Sequence, residues 1–156
     1  MIFIYNCYGG THSSSLCSAI HLGKLPLDRI PSKDEILNTD YFDALTKKDR
    51  GRIIYRGDDK WGNSIYSVSR GSSKIVIPAL KSLINIFKKD FNMTEDIVFI
   101  NASPTVTFPM TIGGFVSRAL NIPYIGRPLL IIGVKQGYFN MVELVRTNLE
   151  SKGFSL

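Results

Sequence analysis

Apolar residues recur along this chain in two rhythms. Met1 to Asn6, Asp96 to Asn101 and Leu129 to Val134 are short, nearly continuous apolar runs, the pattern of strands buried on both faces of a sheet. Arg52 to Arg56 and Ser64 to Arg70 read as two further strands joined by Gly57 to Asn63. In the second of these, Tyr66 and Val68 alternate with Ser67 and Ser69, so one face is less buried. The other rhythm is helical. Leu16, Ala19 and Ile20 stripe a helix from Ser13 to Leu22, which Gly23 stops. Ser32 and Glu35 have capping-box spacing ahead of Ile36 and Leu37, and open a helix or helix pair reaching Leu45. From Ile75 to Phe91, one face gathers Ile75, Leu80, Leu83, Ile84 and Phe87 while Lys81, Lys88 and Lys89 avoid it, and Pro78 fits the first turn. Further helices are expected near Ile112 to Leu120 and from Tyr138 to Leu149. No repeat or linker interrupts the series. It predicts a single α/β domain over residues 1–156, a three-layer sandwich with a mostly parallel central sheet and an antiparallel hairpin. The first, fourth and last strands should form its parallel core.

Composition narrows the partners. The longest apolar runs fall well short of the roughly 18–20 residues of a membrane span, and the N-terminus lacks the basic flank and cleavage pattern of a signal peptide. Two cysteines make no disulfide framework, which points to a reducing, cytoplasmic setting without a membrane partner. The net charge of +6 invites a nucleic-acid reading, but the basic residues are dispersed, and the densest group, Lys47 to Arg52, contains an acid. An anionic small molecule fits that charge as well, and no nucleic-acid partner is expected; the charge names no protein partner. His12 and His21 lie apart without nearby carboxylates, a poor metal site. Neither a Lys-Ser/Thr phosphate loop nor a GxGxxG fingerprint is present, so no cofactor is expected.

The chemistry concentrates in "NCYGGTHSSSLCSAIHLGKLP", Asn6 to Pro26. Open α/β sheets bind ligands at the carboxyl ends of their strands, beside helix N-termini. Three segments should share that edge: Cys7 to Ser15, Asn101 to Gly114 and Gly133 to Tyr138. In the first, Gly9 and Gly10 let the backbone approach a ligand closely, and Tyr8, Thr11, Ser13 and Ser14 add polar groups where a helix dipole favours an anion. The same hydroxyls would serve equally to cap the helix. Cys7 at the strand end is the candidate nucleophile and His12 the candidate acid–base group. Each also has a plain structural reading, a buried thiol and a turn histidine. Asn101, Ser103 and Thr105 in "NASPTVTFPMTIGG" would face Cys7, with Lys135 and Gln136 completing the rim. Trp61 would be a lid or partner contact, or pack back on the domain.

The opening segment resembles the start of low-molecular-weight protein tyrosine phosphatases and arsenate reductases, in which a strand runs into Cys, five residues, Arg and Ser. Cys7, Gly9, Ser14 and the following "LCSAI" align with that pattern. Ser13 stands where the phosphate-clamping arginine should be, and a neutral hydroxyl cannot supply a bidentate charge. No Asp-Pro general-acid motif lies near the C-terminus. Arg70, Arg118 and Arg127 are candidates to supply the charge from elsewhere. Over nearly its whole length, through the same segment, "FINASP" and "RPLLIIGVKQGYF", the chain resembles domain of unknown function 3189. That resemblance implies an intracellular bacterial protein of spore-forming Gram-positive organisms and their relatives, with a link to sporulation, and brings no activity or catalytic residue. Two readings follow from the residues: a phosphatase-like or phosphotransfer-like enzyme on a phosphate or phosphorylated metabolite, or a non-catalytic module sensing an anionic metabolite or nucleotide.

Overall fold

Strand β1 (Ile2–Cys7) owes its unbroken apolar character to its place in the sheet. The computed structural model describes residues 1–156, and its four strands run in the order β2-β3-β1-β4, with β2 at Ile53–Asp58, β3 at Ser64–Ser69 and β4 at Ile97–Asn101. β1 pairs in parallel with both β3 and β4, and β2 closes the hairpin onto β3 antiparallel. The expected central first strand and hairpin are therefore present.

One sheet face carries Phe3, Tyr5, Cys7, Ile65 and Ile100 into the main core. There they meet Leu16, Cys17 and Ile20 of α1 (Ser13–His21) and Leu130, Val134, Tyr138, Met141 and Val145 of α5 (Pro123–Glu150). The other face holds Ile4, Asn6 and Val68, all buried. The connection from β3 to the parallel β4 carries α3 (Val76–Asp90). Of its predicted apolar stripe, Leu80 and Ile84 are half-buried, while Ile75, Leu83 and Phe87 stay exposed. The Ser32–Glu35 capping box forms as expected and starts α2 (Lys33–Leu37).

The expected last strand, Leu129 to Val134, does not exist. It lies inside the 28-residue α5, so the parallel core is completed by β3 instead. A short apolar run cannot distinguish a strand from a helix that is apolar all round, and α5 buries Leu130, Ile131 and Val134 while exposing Ile125, Ile132 and Phe139. Its glycines are a packing seam, not breakers. A Cβ on Gly126 would sit 2.4 Å from Ser117 N and one on Gly133 2.5 Å from Met110 N, against α4 (Phe108–Gly114) and the π-helical turn Phe115–Ala119. Gly133 to Tyr138 consequently lies mid-helix and follows no strand; Gly133 and Gly137 pack instead against Thr105 to Met110, beyond the end of β4.

At the opposite end of α1, Tyr5 Oη donates to His21 Nδ1 at 2.9 Å, and His21 Nε2 donates to Asp59 Oδ2 at 3.1 Å. Asp59 also takes the N–H groups of Trp61 and Asn63, and Trp61 packs back on Phe154 with ring centroids 5.2 Å apart. Burial lowers the His21 pKa below its ordinary 6.5 despite the opposing pull of Asp59. Above 6.5 folded and unfolded states are both neutral at this ring. Below it, the unfolded chain takes a proton that the folded one resists, so stability falls as pH drops. Urea midpoints measured from pH 7.5 to 5 should decline, and His21→Gln should flatten that decline even though it lowers stability at pH 7.5. An unchanged slope in the variant would remove His21 from this role. The depressed Asp59 carboxyl acts in a separate window nearer its ordinary 3.8.

Candidate functional site

Cys7 ends the central strand, so the loop that follows it sits in the middle of the carboxyl edge of the sheet. Backbone bonds from Arg70 N to Cys7 O (3.1 Å) and from Gly71 N to Tyr8 O (2.9 Å) extend the β3 pairing under that loop. Gly10 then turns the chain at φ +68°, against Ser69, where a Cβ would stand 2.8 Å from the serine Cβ. The turn brings Gly10 N–H to Cys7 Sγ at 3.1 Å, and the first turn of α1 brings Ser14 Oγ to the same sulfur at 3.1 Å.

The capping alternative fails on geometry. No side chain caps α1. Thr11 Oγ1 instead donates to Tyr41 O and accepts from Ala44 N (2.9 Å) and Leu45 N (3.2 Å), tying residues 41–45 to the loop. Ser15 Oγ turns to Gly10 O, and Ser18 Oγ bonds Ser14 O within the helix. The backbone N–H groups of Tyr8, Gly9, Thr11, His12, Ser13, Ser14 and Ser15 consequently donate to no atom of the protein. Ser13 Oγ, fully buried in the same stretch, has no partner either. Buried hydroxyls are ordinarily satisfied, and the unpaired amides run from the end of β1 into the first turn of α1, where helix N–H groups lack intrahelical partners.

His12 is held from the side. Its Nε2 lies 3.2 Å from Asp43 Oδ1, while the opposite ring edge abuts Gly114, where a Cβ would meet Cε1 at 3.0 Å and Nδ1 at 3.3 Å. Asp43, fully enclosed and at φ +50°, also accepts from Ser117 Oγ at 2.6 Å and Arg127 Nε at 3.1 Å, and its carbonyl takes Arg118 Nη1 at 2.9 Å. Burial by itself would raise the Asp43 pKa; the bonds from His12, Ser117 and Arg127 outweigh it and hold the carboxyl below its ordinary value. The imidazole is thus oriented by a carboxylate, as an acid–base histidine needs to be.

The remaining expected residues divide. Ser103 reaches the edge and accepts from Arg70 Nη2 at 2.9 Å, and exposed Asn101 caps the Ser103 amide at 3.1 Å. Tyr8 projects outward at 57 % exposure beneath Arg50, whose guanidinium lies 5.4 Å from the ring centroid. Lys135 follows no strand: it lies on the exposed side of α5, two turns beyond Arg127. Arg118 and Arg127 serve Asp43 and Arg70 serves Ser103, so none of these three enters the loop as a clamp. A polar cleft of about 450 Å³, lined by Lys24, Asp34, Glu35, Asn38 and Thr39, lies past the other end of α1 and is separate from this site.

Two participants escaped the reading of the sequence. Asp43 lies in a stretch expected to be helical, and its partners Ser117 on the π-helical turn and Arg127 on α5 are 74 and 84 residues away in sequence. Arg56, on an edge strand, gave no signal at all. It runs under the loop, donating through Nη2 to Ser15 Oγ at 2.8 Å and Gly10 O at 3.2 Å, through Nε to Ser67 Oγ at 2.8 Å and through Nη1 to Asp40 O at 2.8 Å.

In comparison with known proteins, the family described as "Protein of unknown function (DUF3189)" matches residues 2–148. No curated protein and no solved structure matches the chain.

Proposed function

The chain belongs to the DUF3189 family, and we propose that its Tyr8–Ser15 loop binds a phosphate-sized oxyanion, carried by a small metabolite, and presents it to Cys7. One observation carries the reading: seven unbonded backbone amides lie in the eight residues that follow Cys7, whose sulfur accepts from Gly10 N and sits 3.1 Å from Ser14 Oγ. Gly10 N–H, with Ser14 Oγ once it donates to a thiolate, stabilises negative charge on Sγ, and the amides do the same for the equatorial oxygens of a phosphoryl group. In the phosphatase-like form of the reaction, Cys7 Sγ attacks phosphorus and the P–O bond to the leaving group breaks. The leaving oxygen takes a proton from His12, whose ring is oriented by Asp43. Water then attacks the thiophosphate, the S–P bond breaks, and His12 takes the proton of the water, so the sum is ester plus water to alcohol plus phosphate. A reducing compartment keeps Cys7 available, in keeping with two free thiols.

The neutral Ser13 at the clamp position favours a second reading, in which the loop binds the anion without turning it over. The two separate experimentally. Inorganic phosphate at millimolar concentration should shift the amide resonances of residues 8–15, and silence there would overturn both. Cys17 shares the chain and the solvent but lies wholly inside the core, where burial pushes its thiol pKa up. Iodoacetamide at pH 7 should modify Cys7 about tenfold faster than Cys17, with phosphate slowing only Cys7. Aryl phosphate hydrolysis that disappears in Cys7→Ser establishes the enzyme; protected alkylation without hydrolysis leaves the binding module.

A further inference from the structure

Among the acidic, basic and histidine side chains, three residues are buried in this protein: Asp43, His21 and Arg56. Asp43 is surrounded by His12, Arg118 and Arg127, and His21 is matched by Asp59. Arg56 forms no ion pair. Every atom it bonds is neutral: two serine hydroxyls and the carbonyls of Asp40 and Gly10. The nearby Asp40 carboxylate turns away to Lys24 at 2.9 Å, and the Tyr41 ring, 4.7 Å from the guanidinium, offers only its π face. Burial lowers the Arg56 pKa to about 10, which still leaves it cationic at neutral pH. No charged group hydrogen-bonds this guanidinium; Tyr41, Asp40 and Cys7 act on it only through space, and a buried guanidinium is unfavourable unless enough negative charge gathers beside it in the working protein.

Its position says where that charge belongs. The β2–β3 ladder pairs Tyr55 with Tyr66 and then Gly57 with Ile65, so Arg56 is the extra residue of a β-bulge. Bulges re-aim side chains and recur beside active sites. This one sends Arg56 across β3, past Ser67, to the underside of the turn at Gly10 and the first turn of α1 at Ser15. The sulfur of Cys7 is bonded to the amide of Gly10, whose carbonyl Arg56 holds.

Resting on the anion-binding reading above, we infer that Arg56 is the counter-charge of the loop, neutralising from beneath the anion that the Tyr8–Ser15 amides bind, in place of the arginine absent at Ser13. It acts as a positioning and charge-balancing residue rather than a clamp, since its guanidinium bonds the loop backbone itself. The ligand class is narrowed to small oxyanions of full negative charge, such as phosphate monoesters.

The test is a titration of inorganic phosphate, followed at the amides of residues 8–15, in wild-type protein, Arg56→Lys and Arg56→Gln. Lysine keeps the charge and glutamine keeps only hydrogen-bonding capacity. Affinity should fall about tenfold or more in Arg56→Gln and stay within about threefold of wild type in Arg56→Lys, a pattern that a merely structural role would not produce. In wild-type protein, which needs no variant to fold, the Arg56 Nε–H resonance should move with the same phosphate midpoint as the loop amides. Equal affinities in the two variants, or an Arg56 resonance that stays still while the amides move, overturn the inference and leave the anion site standing. Amides that do not respond in wild-type protein overturn the site and the inference together.

Discussion

Gly10→Ala should abolish phosphate-dependent shifts in residues 8–15 and lower stability by about 2–4 kcal/mol. Two effects add. The backbone at φ +68° is one that an L side chain adopts only with strain. The new methyl would also stand 2.8 Å from Ser69 Cβ and 3.0 Å from its backbone N and Cα. Ser69 cannot retreat, because it pairs with Cys7 in the sheet interior and its hydroxyl holds Tyr8 O at 2.9 Å. The loop must lift instead, which breaks the Gly10 amide bond to sulfur and the Arg56 bond to the Gly10 carbonyl. Gly9→Ala is the control: its nearest neighbour would be Thr11 Cγ2 at 3.5 Å, an ordinary contact, and it should change stability by less than about 1 kcal/mol. Chemical denaturation and phosphate titration of both variants check the pair, and similar behaviour would mean that the turn does not require glycine.

Asp43→Ala should destabilise the fold by about 3 kcal/mol, toward the lower end of what breaking a buried ion pair produces. The discount follows from exposure. Arg127 is about half exposed and Arg118 more than a quarter exposed, so both regain water when the carboxylate goes. Ser117 Oγ, almost fully buried, does not, and the lost carboxylate leaves a void beside it. For a chain of this size such a loss lowers the melting temperature by roughly 6–12 °C. Asp43→Asn keeps an acceptor for Ser117 and should recover part of the loss while leaving His12 without its anion. Scanning calorimetry of the three proteins measures the effect, and a change below about 1 kcal/mol in Asp43→Ala would show that the cluster is dispensable.

What could be read from the sequence was local. The strand end at Cys7, the two glycines and the start of α1 at Ser13 lie within seven residues, so their spacing alone fixes that sulfur, turn and helix N-terminus must meet. The hairpin, β4 and the Ser32–Glu35 box were legible for the same reason. Leu129 to Val134 misled because α5 is apolar on both its inner and outer sides, which erases the helical period. The site's lateral and lower walls were invisible: Asp43 meets Ser117 and Arg127, and Arg56 meets Gly10 and Ser15, across separations that no pattern in a single chain encodes.

The tie between the loop and Asp43, and from Asp43 to Ser117 and Arg127, has a bearing on biosynthesis. Cys7 is among the first residues to leave the ribosome, whereas the residues that close its loop from the side come from the last third of the chain. Tyr138 then fastens α5 to the start of the chain through Pro26 O at 2.6 Å. At elongation rates of about 5–20 residues per second, the nascent thiol waits on the order of ten seconds for its walls. During that interval it is a sulfhydryl without its folded surroundings, open to oxidants and to adventitious disulfide exchange.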